Sequence, residues 1–175
     1  MVNPDIGYIF EKPKKVRRPI PRNFVAFDTE TDNHRFICGA YFGYTTKRNG
    51  YIKQITDYYD SIEDFQEGLF KIEKLFKSNL QVPTFIGFNT AYDLAYLQPC
   101  IDTNERLDAG SRFIMCKTLN KNDIMDVANH VFGSLDSWIT RLNMEEEYGI
   151  YKREGYLDSE EGKKAQVMDD AAATY

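Results

Sequence analysis

The run Phe24-Val25-Ala26-Phe27 leading into Asp28-Thr29-Glu30 constrains this chain more than any other stretch. Four apolar residues in succession suit a strand buried on both faces, and Pro19 and Pro21 lie just upstream of it. Alternate residues of a strand project to the same face, so Asp28 and Glu30 emerge together at or just beyond its end. Two carboxylates on one face repel each other and resist desolvation unless a cation or a donor sits between them. The pair reads either as a divalent-metal site or as two solvated acids at a strand end.

A chain of 175 residues fits one domain with a substantial core. With 42% apolar and 14% aromatic residues it is globular rather than disordered. No apolar run is long enough to span a bilayer and no signal-peptide pattern opens the chain, so an intracellular protein without a membrane anchor is expected. Cys38, Cys100 and Cys116 lack C-x-x-C spacing and read as reduced thiols rather than zinc ligands. The net charge of −5 argues against a protein that grips nucleic acid with its whole surface. Lys12, Lys14, Lys15, Arg17, Arg18 and Arg22 nevertheless crowd residues 1–22, an N-terminal arm that Pro13, Pro19 and Pro21 keep extended. Such an arm suits either a phosphate backbone or plain solvent.

After the opening strand, Phe36 to Thr45 and Tyr51 to Ile55 read as strands joined by a tight turn at Asn49-Gly50, which makes the first three strands consecutive and antiparallel. Ser61 opens a helix whose apolar face is Phe65, Leu69, Ile72, Leu75 and Phe76. Thr84 to Phe88 is a second buried strand, and strand–helix–strand order predicts that it runs parallel to the first. Asn89 or Thr90 is expected to cap a short helix with Asp93 in its first turn, where an acid either favours the helix dipole or joins a ligand-binding strand end. Arg112 to Leu119 and Asp123 to Val127 read as a hairpin, with Asp126 a ligand or a water-facing edge residue. Ser134 to Leu142 reads as an amphipathic helix with Trp138 in the core. Asp158 or Ser159 caps a last helix striped by Ala165, Met168, Ala172 and Tyr175. That helix reaches the final residue without a capping glycine or proline, so the chain reads as the N-terminal piece of a longer protein.

In series, the acids resemble the three motifs of the DEDD (DnaQ-like) 3′–5′ exonuclease superfamily. Asp28-Thr29-Glu30 looks like the first, Asn89 to Asp93 the second, and Asp170-Ala171-Ala172-Ala173-Thr174-Tyr175 the end of the third. The resemblance spans Phe24 to Tyr175 and is closest to the proofreading exonuclease domains of DNA polymerases. It implies an α/β fold of the ribonuclease H-like type over residues 23–175, a mixed sheet of three antiparallel strands and then parallel strands, flanked by helices. It also implies that Asp28, Glu30, Asp93 and Asp170 are catalytic and hold two Mg²⁺ or Mn²⁺ ions about 3.5–4 Å apart, which activate a water and stabilise the leaving 3′-oxygen. The oxygen-only donor set suits those ions. The partners implied are the 3′ end of single-stranded DNA, with RNA not distinguished, and a polymerase domain following this one.

Thr29, Asn89 and Gln166 lie within the motifs and join Tyr92 and Tyr96 as expected substrate contacts, the two tyrosines sharing a helix face from which rings stack on unpaired bases. One departure stands out. Where the third motif carries a Tyr four residues before its Asp, or a His five before, this chain has Gln166 and Ala165. An amide hydrogen-bonds a water but takes no proton from it. Tyr148, Tyr151, Tyr156 and His130 are the remaining residues able to supply a base from elsewhere in the chain. An exonuclease and a catalytically weak module that binds a single strand or braces a polymerase both fit, as does a ribonuclease of the same superfamily.

Overall fold

The computed structural model describes residues 23–129, 133–142 and 159–175. The basic arm, His130, Tyr148, Tyr151 and Tyr156 lie outside the described residues. In chain order the strands and helices are β1 Phe24–Asp32, β2 Arg35–Thr46, β3 Ile52–Tyr59, α1 Ile62–Ser78, β4 Thr84–Gly87, α2 Asp93–Leu97, β5 Ile101–Ala109, β6 Arg112–Thr118, β7 Asp123–Asp126, α3 Leu135–Arg141 and α4 Glu160–Thr174. Single 3₁₀ turns cover Gln98–Cys100 and Val127–Asn129.

The strands form one mixed sheet in the order β3-β2-β1-β4-β7-β6-β5. β1, β2 and β3 are an antiparallel meander, as expected, and β4 lies parallel to β1. β7 continues parallel to β4. The sheet does not end there. β6 and β5 add two further antiparallel strands, so the parallel region is confined to the three central strands.

Alternation along each strand divides the core into two layers. Val25 and Phe27 of β1 and Tyr41 of β2 face α1, packing with Phe65, Leu69, Ile72 and Phe76. On the other face, Cys38 and Ala40 of β2 meet Val167 and Ala171 of α4. The buried stripe of α4 thus centres on Val167 and Ala171, one position away from the expected Ala172, which is only half-buried. Trp138 is likewise half-buried rather than central, with the Arg141 guanidinium 5.3 Å from its ring centroid. Ser61, Ser134 and Ser159 each accept from a backbone N–H one turn into their helices, which fixes where α1, α3 and α4 begin.

The tight turn expected at Asn49-Gly50 joins β2 to β3. At Asn49-Gly50 only Gly50 has positive φ, +82°, and its N–H donates to Lys47. The connection is therefore a turn followed by one left-handed residue, not a two-residue hairpin loop. The two-residue loop occurs instead between β1 and β2, where Asn33 and His34 adopt φ of 48° and 64° without any glycine. No described helix is long and apolar enough to cross a membrane.

Candidate active site

The C-terminal ends of the three parallel strands lie side by side. The β1–β4 register pairs Ala26 with Ile86, and the β4–β7 register pairs Gly87 with Asp126. The residues that follow in each strand, Asp28 in β1 and Phe88-Asn89 after β4, therefore reach the same edge. α4 crosses the adjoining face and brings Asp170 to it. Oxygens of Asp28, Glu30 and Asp170 lie within 4.8 Å of one another. Beside Glu30 the β1–β2 ladder is irregular. Glu30 pairs with Cys38 and Thr31 with Phe36, so Ile37 is an extra residue in β2.

Asp93 stands next to this trio rather than within it. It is 6% exposed, and one of its oxygens accepts a hydrogen bond from the Thr29 hydroxyl. The expected cage of four acids is thus three converging carboxylates with the fourth held alongside by Thr29. The electrostatics agree. Burial, and then Asp93, Asp170 and Glu30, hold the Asp28 carboxyl well above its ordinary range. Burial and then Asp170 and Asp93 push Glu30 up to about 7, against the opposing pull of Lys163. Asp93 is pushed up to about 6 by burial, with the Thr29 hydrogen bond working the other way. These groups resist ionising together, and a cation among them removes that resistance.

The segment between β4 and α2 is tightly specified. A Cβ on Gly87 would fall on Cγ2 of Thr90, so only glycine lets the chain fold back here. Asn89 follows with φ of 59°, a conformation uncommon outside glycine. Its N–H donates to Oδ1 of Asp126 at 3.0 Å, and Ala128 N–H donates to the same oxygen at 2.9 Å. Asp126, 5% exposed, is thus neither a metal ligand in this trio nor a water-facing edge residue. It is a buried acceptor that pins the turn from which Asp93 follows. Neither Asn89 nor Thr90 caps α2. Tyr92 occupies the cap position without a side-chain hydrogen bond, and the Thr90 hydroxyl is buried with no partner among the described residues.

The two tyrosines expected to share one face differ in exposure. Tyr92 is 72% exposed. Tyr96 is half-buried, its hydroxyl donates to the His34 carbonyl at 3.2 Å, and its ring meets Phe36 edge-on at 5.3 Å. Tyr96 therefore buttresses the β1–β2 turn. Gln166 lines a cleft of about 370 Å³ together with Asp28, Asp170, Phe88, Asn89, Ser134 and Leu135. In the sequence Ser134 and Leu135 stand out only as the start of an amphipathic helix, and Phe88 as an aromatic beside the second motif that suits core packing or stacking on a base. No local pattern distinguishes a cap that faces a cleft from one that faces water.

Comparison with protein-family models, with curated proteins and with solved structures yields no match to this chain.

Proposed function

We propose that this chain is a divalent-metal-dependent 3′–5′ exonuclease with a ribonuclease H-like fold, hydrolysing the terminal phosphodiester of single-stranded DNA as a proofreading-type partner of a polymerase. The observation that carries the proposal is the convergence of Asp28, Glu30 and Asp170, two from a strand end and one from a helix near the other end of the chain. Three carboxylates gathered on a half-buried surface lower stability unless a cation joins them. The order β3-β2-β1-β4-β7, antiparallel and then parallel, also supports the ribonuclease H-like resemblance, with β6 and β5 as an addition at one edge.

Among the described residues only oxygen ligands converge here, which suits Mg²⁺ or Mn²⁺. When bound, two such ions supply water activation and stabilisation of the leaving oxygen. Asp28, Glu30 and Asp170 would hold them, with Asp93 oriented by Thr29. The Gln166 amide, in the same cleft, orients a water or a phosphate oxygen by hydrogen bonding without accepting a proton. Tyr92 offers an exposed ring on which an unpaired base can stack.

A 5′-labelled single strand of DNA incubated with Mn²⁺ should shorten stepwise, and Asp28→Ala should stop it. Gln166 in place of a group able to take a proton favours a second reading, a weak or inactive module that retains the fold to bind a strand. Undegraded strand with binding preserved would establish that reading. Faster shortening of an RNA strand than of DNA would assign the site to a ribonuclease.

A further inference from the structure

We propose that the groove running from the carboxylate trio to the start of β6 seats the nucleotide immediately upstream of the reacting 3′ end, with the Arg112 guanidinium on its phosphate. The inference rests on the exonuclease proposal above and adds a second binding position to it. Two clefts meet here. The one containing Asp28 and Asp170, of about 370 Å³, shares Phe88, Asn89 and Ser134 with a second of about 450 Å³. Each volume falls in the range of pockets that hold small ligands of nucleotide size. The second cleft has the start of β6 as one wall and the turn after β7 as the other, and Asn129 ties them by donating to the Phe113 carbonyl at 2.6 Å.

The charges around this groove differ in one respect that matters. Most cations on the β5–β6–β7 edge already have an acid. Arg106 pairs with Asp108 at 2.9 Å, Lys117 with Asp123 at 2.6 Å, and Lys121 with Asp102 and Glu105 at 2.6 and 2.7 Å. Arg112 is exposed, lines the second cleft and makes no ion pair with the described residues. The acid in that cleft, Asp126, has one oxygen engaged by two backbone N–H groups, which offset its charge locally. Anionic character is thus concentrated at one end of the groove, where cations belong, and a guanidinium stands at the other.

A single strand entering such a groove places its last phosphodiester at the trio and the preceding phosphate further out. The outer phosphate has no metal to offset it and needs a side-chain cation, and the planar guanidinium fork matches phosphate oxygens. Phe88, half-buried and lining both clefts, provides an apolar surface between the two positions. The groove therefore favours an oligonucleotide over a mononucleotide ester, which fills the inner cleft alone.

The test compares wild type, Arg112→Ala and Arg112→Lys in two measurements. In the first, 5′-fluorescein oligothymidylate of eight nucleotides is bound in Ca²⁺ across a salt series. Arg112→Ala should weaken binding on the order of threefold to fivefold and reduce the slope of log affinity against log salt by about 0.7, while Arg112→Lys keeps the slope. In the second, the p-nitrophenyl ester of thymidine 5′-monophosphate, which occupies only the inner cleft, should be turned over equally by all three proteins with Mn²⁺. Unchanged oligonucleotide affinity and slope in Arg112→Ala would overturn the proposal, as would an equal loss on the mononucleotide ester. If wild type turns over neither this ester nor the labelled DNA strand with Mn²⁺, the exonuclease proposal fails, and the binding series still decides Arg112.

Discussion

At the scale of single residues, the site is a set of compromises between stability and charge. Asp28 is the clearest. Its burial and the acids beside it disfavour ionisation and outweigh a backbone hydrogen bond at Thr29, so replacing it by the neutral isostere removes repulsion. Asp28→Asn should raise stability in EDTA at pH 8 by on the order of 1–2 kcal/mol while abolishing any stabilisation by Mn²⁺. Urea unfolding with and without metal measures both, and a destabilised apo variant would contradict the repulsion. Thr90 makes a separate prediction. Its hydroxyl is buried without a partner among the described residues, so Thr90→Val, nearly the same shape, should stabilise by about 1 kcal/mol. A loss of that size instead would mean that the hydroxyl is satisfied in solution. Asp28 and Glu30 were legible in the sequence because strand alternation alone puts them on one face. Asp126 was not, because its role depends on a left-handed turn at Asn89 that nothing local announces.

At the scale of elements, apolar periodicity found most of the sheet and failed where burial is one-sided. β1, β2, α1 and β4 carry runs or stripes that become core, and they sit close to where the sequence puts them. β5 was missed because all but Ile101 and Asp102 of its residues are exposed, leaving no alternation to detect. Its partner β6 is held to the molecule in part by a residue that a helical pattern does not reveal. Glu73, 5% exposed on the core side of α1, accepts from Thr118 at 2.5 Å, Asn120 at 2.5 Å and Asn122 at 2.6 Å. This one carboxylate gathers the whole β6–β7 connection onto α1. Glu73→Ala should cost about 3 kcal/mol, because buried donors lose their acceptor together. It should also speed amide exchange across Thr118–Asn122 beyond the global change. A cost under about 1 kcal/mol would show that the connection holds without the helix.

At the scale of the whole molecule, the fold places acids drawn from distant parts of the sequence at one sheet edge, and the chain's pH response should report it. Glu30 and Asp93 hold their protons in the folded state up to about 7 and about 6, against ordinary values of 4.5 and 3.8, and Asp28 shifts the same way. The folded state therefore binds more protons than the unfolded one across that window. The contribution of Glu30 and Asp93 is fully present below about pH 4 and is lost as pH rises through about 6 and about 7. In EDTA the melting temperature should fall from pH 5 to pH 8. Saturating Mn²⁺ should reverse or flatten that trend, since the ion binds the deprotonated form. The same melting trend with and without Mn²⁺ would separate the acids from any metal.

The central claim is that Asp28, Glu30 and Asp170 together hold divalent cations, and calorimetric titration of Mn²⁺ into the protein tests it most directly. The account predicts saturable binding that releases more protons at pH 6 than at pH 8, and that disappears in Asp170→Asn. No binding at millimolar Mn²⁺, or binding unchanged by Asp170→Asn, would contradict it.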